Sequence, residues 1–299
     1  MPAPPDVGEN ARAGLRPPAV FGRPGPRAKR TDRLHAGTAS RVRTRVQRNG
    51  DETAPSQIGV AGTPAWPTLG AMLRAEDLFD LSQTEHRDLF RDLVYPWDAL
   101  RQLAEYIEAR VQPILKNRCD GVAYIGDKVY IGEGTLVEDG AMIKGPAIIG
   151  RNCRIRHNAY IREHVLIGDN CVVGNACELK HCILFNGAQV PHFNYVGDSI
   201  LGHRAHLGAG VILSNFRSLP GTIWVEVEGE RIDTGLRKLG ALVGDFAEVG
   251  CQAVLNPGSI LGRRAVVYPC VNWRGYLPAD RIAKNRAAIE IVERRPAEG

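Results

Sequence analysis

The sequence has little of what marks membrane, secreted or zinc-binding proteins. No apolar run approaches the roughly 20 residues that span a bilayer, and no apolar signal core follows the N-terminus. The seven cysteines include no C-x-x-C pair, and their odd number argues against a disulfide framework. We therefore expect a cytoplasmic protein with free thiols, no metal site and no membrane partner.

Excess positive charge is confined to the start of the chain. The net charge is +5, yet residues 1–55 hold 10 Arg and 1 Lys against 5 acidic residues, which leaves the remainder slightly negative. This Pro-, Gly-, Ala- and Arg-rich stretch has few aromatic residues and cannot bury enough apolar surface to fold. Residues 1–70 are predicted to be a disordered basic leader, either a flexible tail or an extension upstream of an initiator at Met72. Charge gives no reason to expect a nucleic-acid partner.

A six-residue period dominates the centre of the chain. An aliphatic or aromatic residue occupies every sixth position from Ile125 to Phe185, eleven times without a gap. Neither the 3.6-residue period of a helix nor the two-residue period of a strand fits, so the repeat is a unit stacked on itself. Glycine often follows the aliphatic residue, as in Ile149-Gly150, and we expect the chain to turn corners there with unusual dihedrals.

Three six-residue sides make an 18-residue coil. This predicts an all-β solenoid, a left-handed parallel β-helix of roughly seven coils over residues 121–275, whose register slips near Pro191. Residues 214–242 leave the repeat, and alternation around Glu228-Gly229 predicts a protruding β-hairpin there. Residues 276–299 are predicted to be a C-terminal tail.

A helical pattern precedes the solenoid. Leu100, Leu103, Ile107 and Val111 recur at three- and four-residue spacing. Because the last rung of a solenoid exposes backbone groups and apolar side chains, residues 71–120 are predicted to form a short helical cap over the open end.

Lys144, Arg162 and Lys180 lie 18 residues apart, each directly after a core aliphatic residue. The period stacks them at one corner on successive coils. Three like charges at this spacing are destabilising unless an anion or a nearby carboxylate compensates them. A bound phosphate is one interpretation, and a solvated face with splayed side chains is the other.

His192 and Tyr195 fall where the register is expected to break. Imidazole is the side chain best suited to proton transfer near neutral pH, although a histidine in an irregular coil is often structural. Asn215, beside the predicted hairpin, is either a group that orients the imidazole or holds substrate, or a turn residue.

Three stretches carry a family resemblance: Cys177-Glu-Leu-Lys180, Val190-Pro-His192-Phe-Asn-Tyr195-Val-Gly-Asp198, and Leu207-Gly-Ala-Gly210 with Asn215-Phe216. They resemble the acetyltransferase half of bacterial bifunctional N-acetylglucosamine-1-phosphate uridyltransferases and of their archaeal sugar-1-phosphate relatives. The resemblance covers about residues 120–275. It implies a hexapeptide-repeat acyltransferase that uses acetyl-CoA as co-substrate.

The resemblance also implies roles for single residues. His192 matches the base, Asn215 an active-site asparagine, and Tyr195 a residue that contacts the sugar phosphate. Cations that match phosphate-binding positions are Arg162, Lys180 and Lys238, and the spacing adds Lys144 to them. By the same resemblance, Ala209 and the backbone near Cys251 line the acetyl-CoA groove.

Some residues depart from the family pattern. Val211, Phe216 and Arg217 replace residues of its usual motifs, and His206 stands in place of an asparagine of the site. No Gly-x-Gly-Thr-Arg loop occurs, so nucleotidyl transfer is not expected.

The expected function is N-acetylation of an amino-sugar phosphate, with glucosamine 1-phosphate as first candidate, in amino-sugar nucleotide biosynthesis. A homotrimer is expected by resemblance. Two alternatives stay open: a catalytically silent sugar-phosphate-binding scaffold, and a metal lyase of the γ-carbonic anhydrase type. The lyase needs two histidines five residues apart, which His203 and His206 do not supply.

Overall fold

A computed structural model describes residues 73–116, 118–285 and 291–292. The predicted leader lies outside these residues, as does most of the chain beyond position 285. The helical elements that precede the solenoid are α1, Ala75–Leu78, two 3-10 turns, Leu81–Gln83 and Arg87–Phe90, and α2, Asp98–Arg110. Within the described residues, no helix is long and apolar enough to cross a bilayer.

Three parallel sheets form the solenoid, and successive strands of the chain visit them in turn. Face 1 consists of Arg118–Asp120, Leu136–Glu138, Arg154–Ile155, Val172–Asn175, Gln189–His192, His206–Leu207, Glu248–Val249, Val266–Val267 and Ile282–Ala283. Face 2 consists of Tyr124–Ile125, Met142–Ile143, Tyr160–Ile161, Glu178–Lys180, Tyr195–Gly197, Ile212–Leu213, Val254–Leu255 and Asn272–Trp273. Face 3 consists of Val129–Ile131, Ala147–Ile149, Val165–Ile167, Cys182–Leu184, Ile200–Leu201, Ala241–Val243, Ser259–Leu261 and Tyr276–Leu277.

The predicted fold class is confirmed. Residues one coil apart pair in parallel, such as Ile149 with Ile167 and Ile143 with Ile161, and both members of each pair are fully buried. Small residues such as Ala147 and Cys153 share this interior with the aliphatic column, as the repeat predicts. The left-handed parallel β-helix therefore follows from inward-facing residues that stack along the axis.

The solenoid is longer than predicted at both ends. Face 1 has nine strands, from Arg118–Asp120 to Ile282–Ala283, whereas the periodicity predicts about seven coils over residues 121–275. The stretch after residue 275 is not simply a tail, because Tyr276–Leu277 and Ile282–Ala283 pair with the preceding coil. These terminal coils escape the pattern because their strands lack a regular aliphatic residue, as at Cys119.

The register slips one side earlier than predicted. Pairing advances by 17 residues from Ile167 to Leu184, so Leu184 enters the core and Phe185 points outward. The same shortening recurs between Val196 and Leu201. Both slips fall at the corner between faces 2 and 3, and the segment around Pro191 is regular strand. The expected break at Pro191 is therefore wrong.

The N-terminal helical segment, residues 73–110, lies along face 3. It packs on the outward residues at the centres of the strands: Ile148, Leu166, Ile183, Ile200, Leu242 and Ile260. Near the C-terminal coils the Asp245 amide donates to the Leu78 carbonyl at 3.0 Å, and at the first coil the Ile131 amide donates to the Ile114 carbonyl at 2.9 Å. The expected end cap is thus wrong, because face 3 is apolar on its outer side too and must be covered.

The insertion contains the predicted hairpin, formed by Trp224–Val227 and Glu230–Asp233. Glu228 and Gly229 have φ values of 52° and 87°, the two-residue turn that matches strand twist. However, Val225 and Val227 are buried in the same apolar cluster as α2. The hairpin does not protrude; it completes the cover over face 3.

The corner glycines serve a purpose other than the one expected. Gly150 and Gly168 do not have positive φ, but a Cβ on Gly150 would lie 2.6 Å from the Gly168 carbonyl oxygen. The positive-φ position comes two residues later and is filled by Asn152 and Asn170. Glycine is thus needed at this corner because adjacent coils approach closely.

Candidate functional site

The three predicted cations do form one column. The Lys144 amide donates to the Ile161 carbonyl and the Arg162 amide to the Leu179 carbonyl, at 2.8 and 2.9 Å. Lys144, Arg162 and Lys180 therefore stand on successive coils at the corner between faces 2 and 3, as their spacing predicts.

Carboxylates compensate this column. Arg162 Nη1 lies 2.9 Å from Glu178 Oε1, and Lys180 Nζ lies 3.4 Å from Asp198 Oδ2. Glu163 lies between Lys144 and Arg162, at 3.7 and 3.5 Å. The stacking of like charges therefore does not by itself require a bound phosphate.

Asp198 extends the column by one more coil and joins the lysine to the rest of the cluster. It is 6% exposed, and its amide donates to the Lys180 carbonyl at 3.0 Å. Asn215 Nδ2 donates both to Asp198 Oδ2 and to Tyr195 Oη, the latter at 3.2 Å. Burial raises the pKa of Tyr195, which keeps the phenol protonated and able to donate. Four polar side chains are thus brought together.

A cavity of about 460 Å³ opens beside Asp198. Its walls come from the face 2–face 3 corner, from α2 and from the chain segment that returns from the hairpin: His181, Leu100, Arg101, Phe216, Leu236, Arg237 and Lys238. Lys238 is held there by a β-bridge to Phe216, and the Leu239 amide donates to the Asn215 carbonyl at 3.1 Å. The structure therefore brings the predicted Lys238 next to the cluster, despite the insertion between them in sequence.

His192 lies at the other corner of face 2, at the end of the strand Gln189–His192. The residue is exposed, and among the described residues its imidazole has no hydrogen-bond partner. Lys180 closes the paired coil of face 2 at the opposite corner, so a three-residue strand, about 10 Å, separates the two corners. Tyr195 stands on that face between them.

Ala209 and Cys251 continue the corner of His192. The face 1 pairs Gln189 with His206 and Leu207 with Val249 place His192, Ala209 and Cys251 at equivalent positions on three successive coils. The Gln252 amide donates to the Ala209 carbonyl at 2.9 Å. The residues expected to line the acetyl-CoA groove thus extend from His192 along one edge.

Several members of the cluster were missed by the sequence analysis, namely Glu163, Glu178, Asp198, Arg101 and Arg237. Asp198 carried a signal, since it lies 18 residues after Lys180 in the same column. The other four had none, because their positions depend on contacts between segments far apart in sequence. His206 lies on face 1, where its Nδ1 is 2.7 Å from Glu248 Oε2, outside the cluster. Within the described residues, no three His, Cys, Asp or Glu side chains gather as a metal site would require.

Comparison with known proteins agrees with this picture. Residues 143–291 match the family model described as the GMPPB C-terminal domain. A bifunctional sugar-1-phosphate nucleotidylyltransferase/acetyltransferase of Sulfurisphaera tokodaii is 37% identical over 92 residues, which are 31% of this chain and 23% of that protein. The resemblance inferred from the sequence is confirmed. The bifunctional protein GlmU of Methanococcus maripaludis is 34% identical over 90 residues, 30% of this chain and 22% of that protein.

The chain thus spans less than a quarter of the length of these two relatives. Among solved structures, the Arabidopsis UDP-N-acetylglucosamine acyltransferase is similar at 13% identity with a TM-score of 0.34, over 56% of this chain and 67% of that one.

Proposed function

We propose that this chain is an acyltransferase that moves the acetyl group of acetyl-CoA to the amine of an amino-sugar phosphate, with glucosamine 1-phosphate as acceptor. The relatives named for acetyl transfer support the reaction class. The acceptor is chosen because cations and hydrogen-bonding groups of the size and kind that bind a sugar phosphate gather at one corner of face 2.

One observation carries the proposal: face 2 has an exposed imidazole at one corner and a polar, cationic cluster at the other. An acceptor lying across the face reaches Lys180, Lys238 and Asn215 with its phosphate end and His192 with its amine. Tyr195, on the face between them, contacts the sugar. Arg162 and Lys144 add positive potential from the next coils, once a phosphate displaces Glu178 or Glu163.

The reaction needs one base and one oxyanion donor. The amine nitrogen attacks the thioester carbonyl while His192 accepts a proton from it, and a backbone N–H stabilises the tetrahedral oxyanion. Collapse breaks the carbon–sulfur bond, and the CoA thiolate leaves and takes up a proton. The edge that carries Ala209 and Cys251 holds the pantetheine arm beside His192.

The test is thiol release from acetyl-CoA in the presence of glucosamine 1-phosphate, with product identified by mass spectrometry. The wild-type protein should release CoA in proportion to N-acetylated product. His192→Ala should lower kcat by about 10²- to 10⁴-fold, the usual contribution of a general base, with an unchanged melting temperature. His157→Ala is the matched control, since His157 is an exposed histidine at the same corner on an earlier coil.

Two results would count against the proposal. CoA release no faster than spontaneous hydrolysis, across a panel of amino-sugar phosphates, removes the acyltransferase assignment. Equal activity of His192→Ala and wild type removes only the base assignment and leaves the reaction class standing.

A further inference from the structure

Charged groups near the cluster differ in whether they already have a partner. Arg162 and Lys180 are paired with Glu178 and Asp198. In the part of the chain that the structure describes, Arg237 and Lys238 make no ion pair and no side-chain hydrogen bond, and both line the 460 Å³ cavity. Unpaired cations in a concave site are the groups that an anionic ligand meets first.

The cavity carries excess positive charge. Arg101, Arg237 and Lys238 face a single carboxylate, Asp198, which Lys180 already compensates. Burial lowers the pKa of His181, so this imidazole adds no charge at neutral pH. A dianionic phosphate monoester would balance the excess.

Arg101 of α2 determines where the two unpaired cations stand. Its Nε donates to Asp98 Oδ1 at 3.0 Å, and its Nη2 donates to the carbonyl of Thr234. Thr234 is buried, and its hydroxyl donates to the Ile223 carbonyl at 2.7 Å and accepts from the Leu236 amide at 3.2 Å. This network fixes the chain as it leaves the hairpin, directly before Arg237.

We propose that Arg237 binds the phosphate of the acceptor together with Lys238, and that Arg101 is a positioning residue that holds both by anchoring the hairpin return to α2. The inference rests on the proposed function for the identity of the acceptor. It makes the N-terminal helical segment a wall of the acceptor site as well as a cover for face 3.

The binding role of Arg237 is tested without catalysis, by calorimetry of glucosamine 1-phosphate on the full chain in the absence of acetyl-CoA. Arg237→Gln should weaken binding by about tenfold, the effect of losing one charge-assisted contact. The control is Arg231→Gln on the same hairpin, where the guanidinium lies 4.6 Å from the ring centroid of Trp224 and not in the cavity lining. With glucosamine, which lacks the phosphate, wild type and Arg237→Gln should bind alike.

The positioning role of Arg101 is tested with Arg101→Lys, which keeps the charge but loses the fork that reaches Asp98 and Thr234 together. It should raise KM for the acceptor several-fold, leave KM for acetyl-CoA unchanged, and combine with Arg237→Gln less than additively. Full rescue by lysine would show that Arg101 acts only by its charge, and would overturn the positioning role.

The two proposals fail separately. Glucosamine 1-phosphate binding that is equally tight in Arg237→Gln and Arg231→Gln overturns this inference even if acetyl transfer occurs. Absence of acetyl transfer, with phosphate binding that depends on Arg237, overturns the proposed function alone.

Discussion

Charged residues at the corners of the solenoid have neighbours one coil away, and this spacing sets what they contribute. Arg162 and Glu178 are about one-third exposed, so their ion pair stabilises the fold by only about 0–1 kcal/mol. A carboxylate held so weakly is readily exchanged for a ligand phosphate. The column of cations is therefore compatible both with a folded empty site and with an occupied one.

The corner glycines separate close packing from backbone strain. Gly150→Ala should destabilise the protein by about 1–3 kcal/mol, because the added Cβ meets the backbone of the next coil. Gly229→Ala in the hairpin turn should cost about 1–2 kcal/mol, the penalty of a left-handed conformation, since nothing lies within 4 Å of the added Cβ.

Urea unfolding of the two variants measures both effects. Relief by a smaller neighbour is possible only at the hairpin. A Gly150→Ala variant as stable as wild type would show that adjacent coils can separate, and would contradict the close-approach argument.

At the scale of elements, the helical segment and the hairpin together cover face 3. Leu103 and Ile107 of α2 are fully buried, and Val225 of the hairpin is 1% exposed. This interface is large and apolar, so the helical segment is expected to unfold together with the solenoid. Only faces 1 and 2 remain open to other molecules.

His181 links α2 to the corner of the acceptor site, since its Nε2–H donates to the Leu100 carbonyl at 2.9 Å. Burial lowers its pKa, and the positive charge of Lys180 acts in the same direction, whereas Asp198 opposes it. Burial also lowers the pKa of His86. Below the unfolded value of about 6.5 the unfolded chain binds protons that the folded chain does not, so stability should fall as the pH drops from 7 to 5.

His181→Gln should flatten this pH dependence of the free energy of unfolding, measured by urea titration at several pH values. His192→Gln, at an exposed histidine, should leave the slope as it is in wild type. A His181→Gln protein with the wild-type slope would assign the effect elsewhere, to His86 first.

At the scale of the whole molecule, the open faces bear on assembly. Face 2 exposes Tyr124 and Met142 beside each other, at 57% and 40% of their surface. Because face 3 is covered, self-association has to use faces 1 and 2, the faces that carry His192 and its corner. We predict a homotrimer, in which the edge with His192 meets a neighbouring copy.

Light scattering of the full chain should therefore give about three times the monomer mass of 32.7 kDa. Met142→Glu should shift the mass toward that of the monomer, while Arg154→Glu, an exposed change on face 1, is a charge control of the same kind. A monomer at all concentrations, with full acetyl-transfer activity, would contradict the predicted trimer.

The six-residue period determined the fold, because each coil packs mainly on its two neighbours and the pattern of inward residues is readable in any coil. It also determined that Lys144, Arg162 and Lys180 form a column, since strict register is all that this requires. The hairpin turn at Glu228-Gly229 was likewise readable, because a two-residue turn between alternating strands is a local feature.

The tertiary structure decided what compensates that column and what surrounds the cavity. Contacts of Arg101 with Thr234, of His181 with Leu100 and of Lys238 with Phe216 join segments between 22 and 133 positions apart, and no periodicity encodes such pairs. The path of the helical segment was equally unreadable, because an amphipathic helix fits the end of a solenoid or its side. Only the apolar outer residues of face 3 decide between them, and these differ from core residues by their neighbours in space.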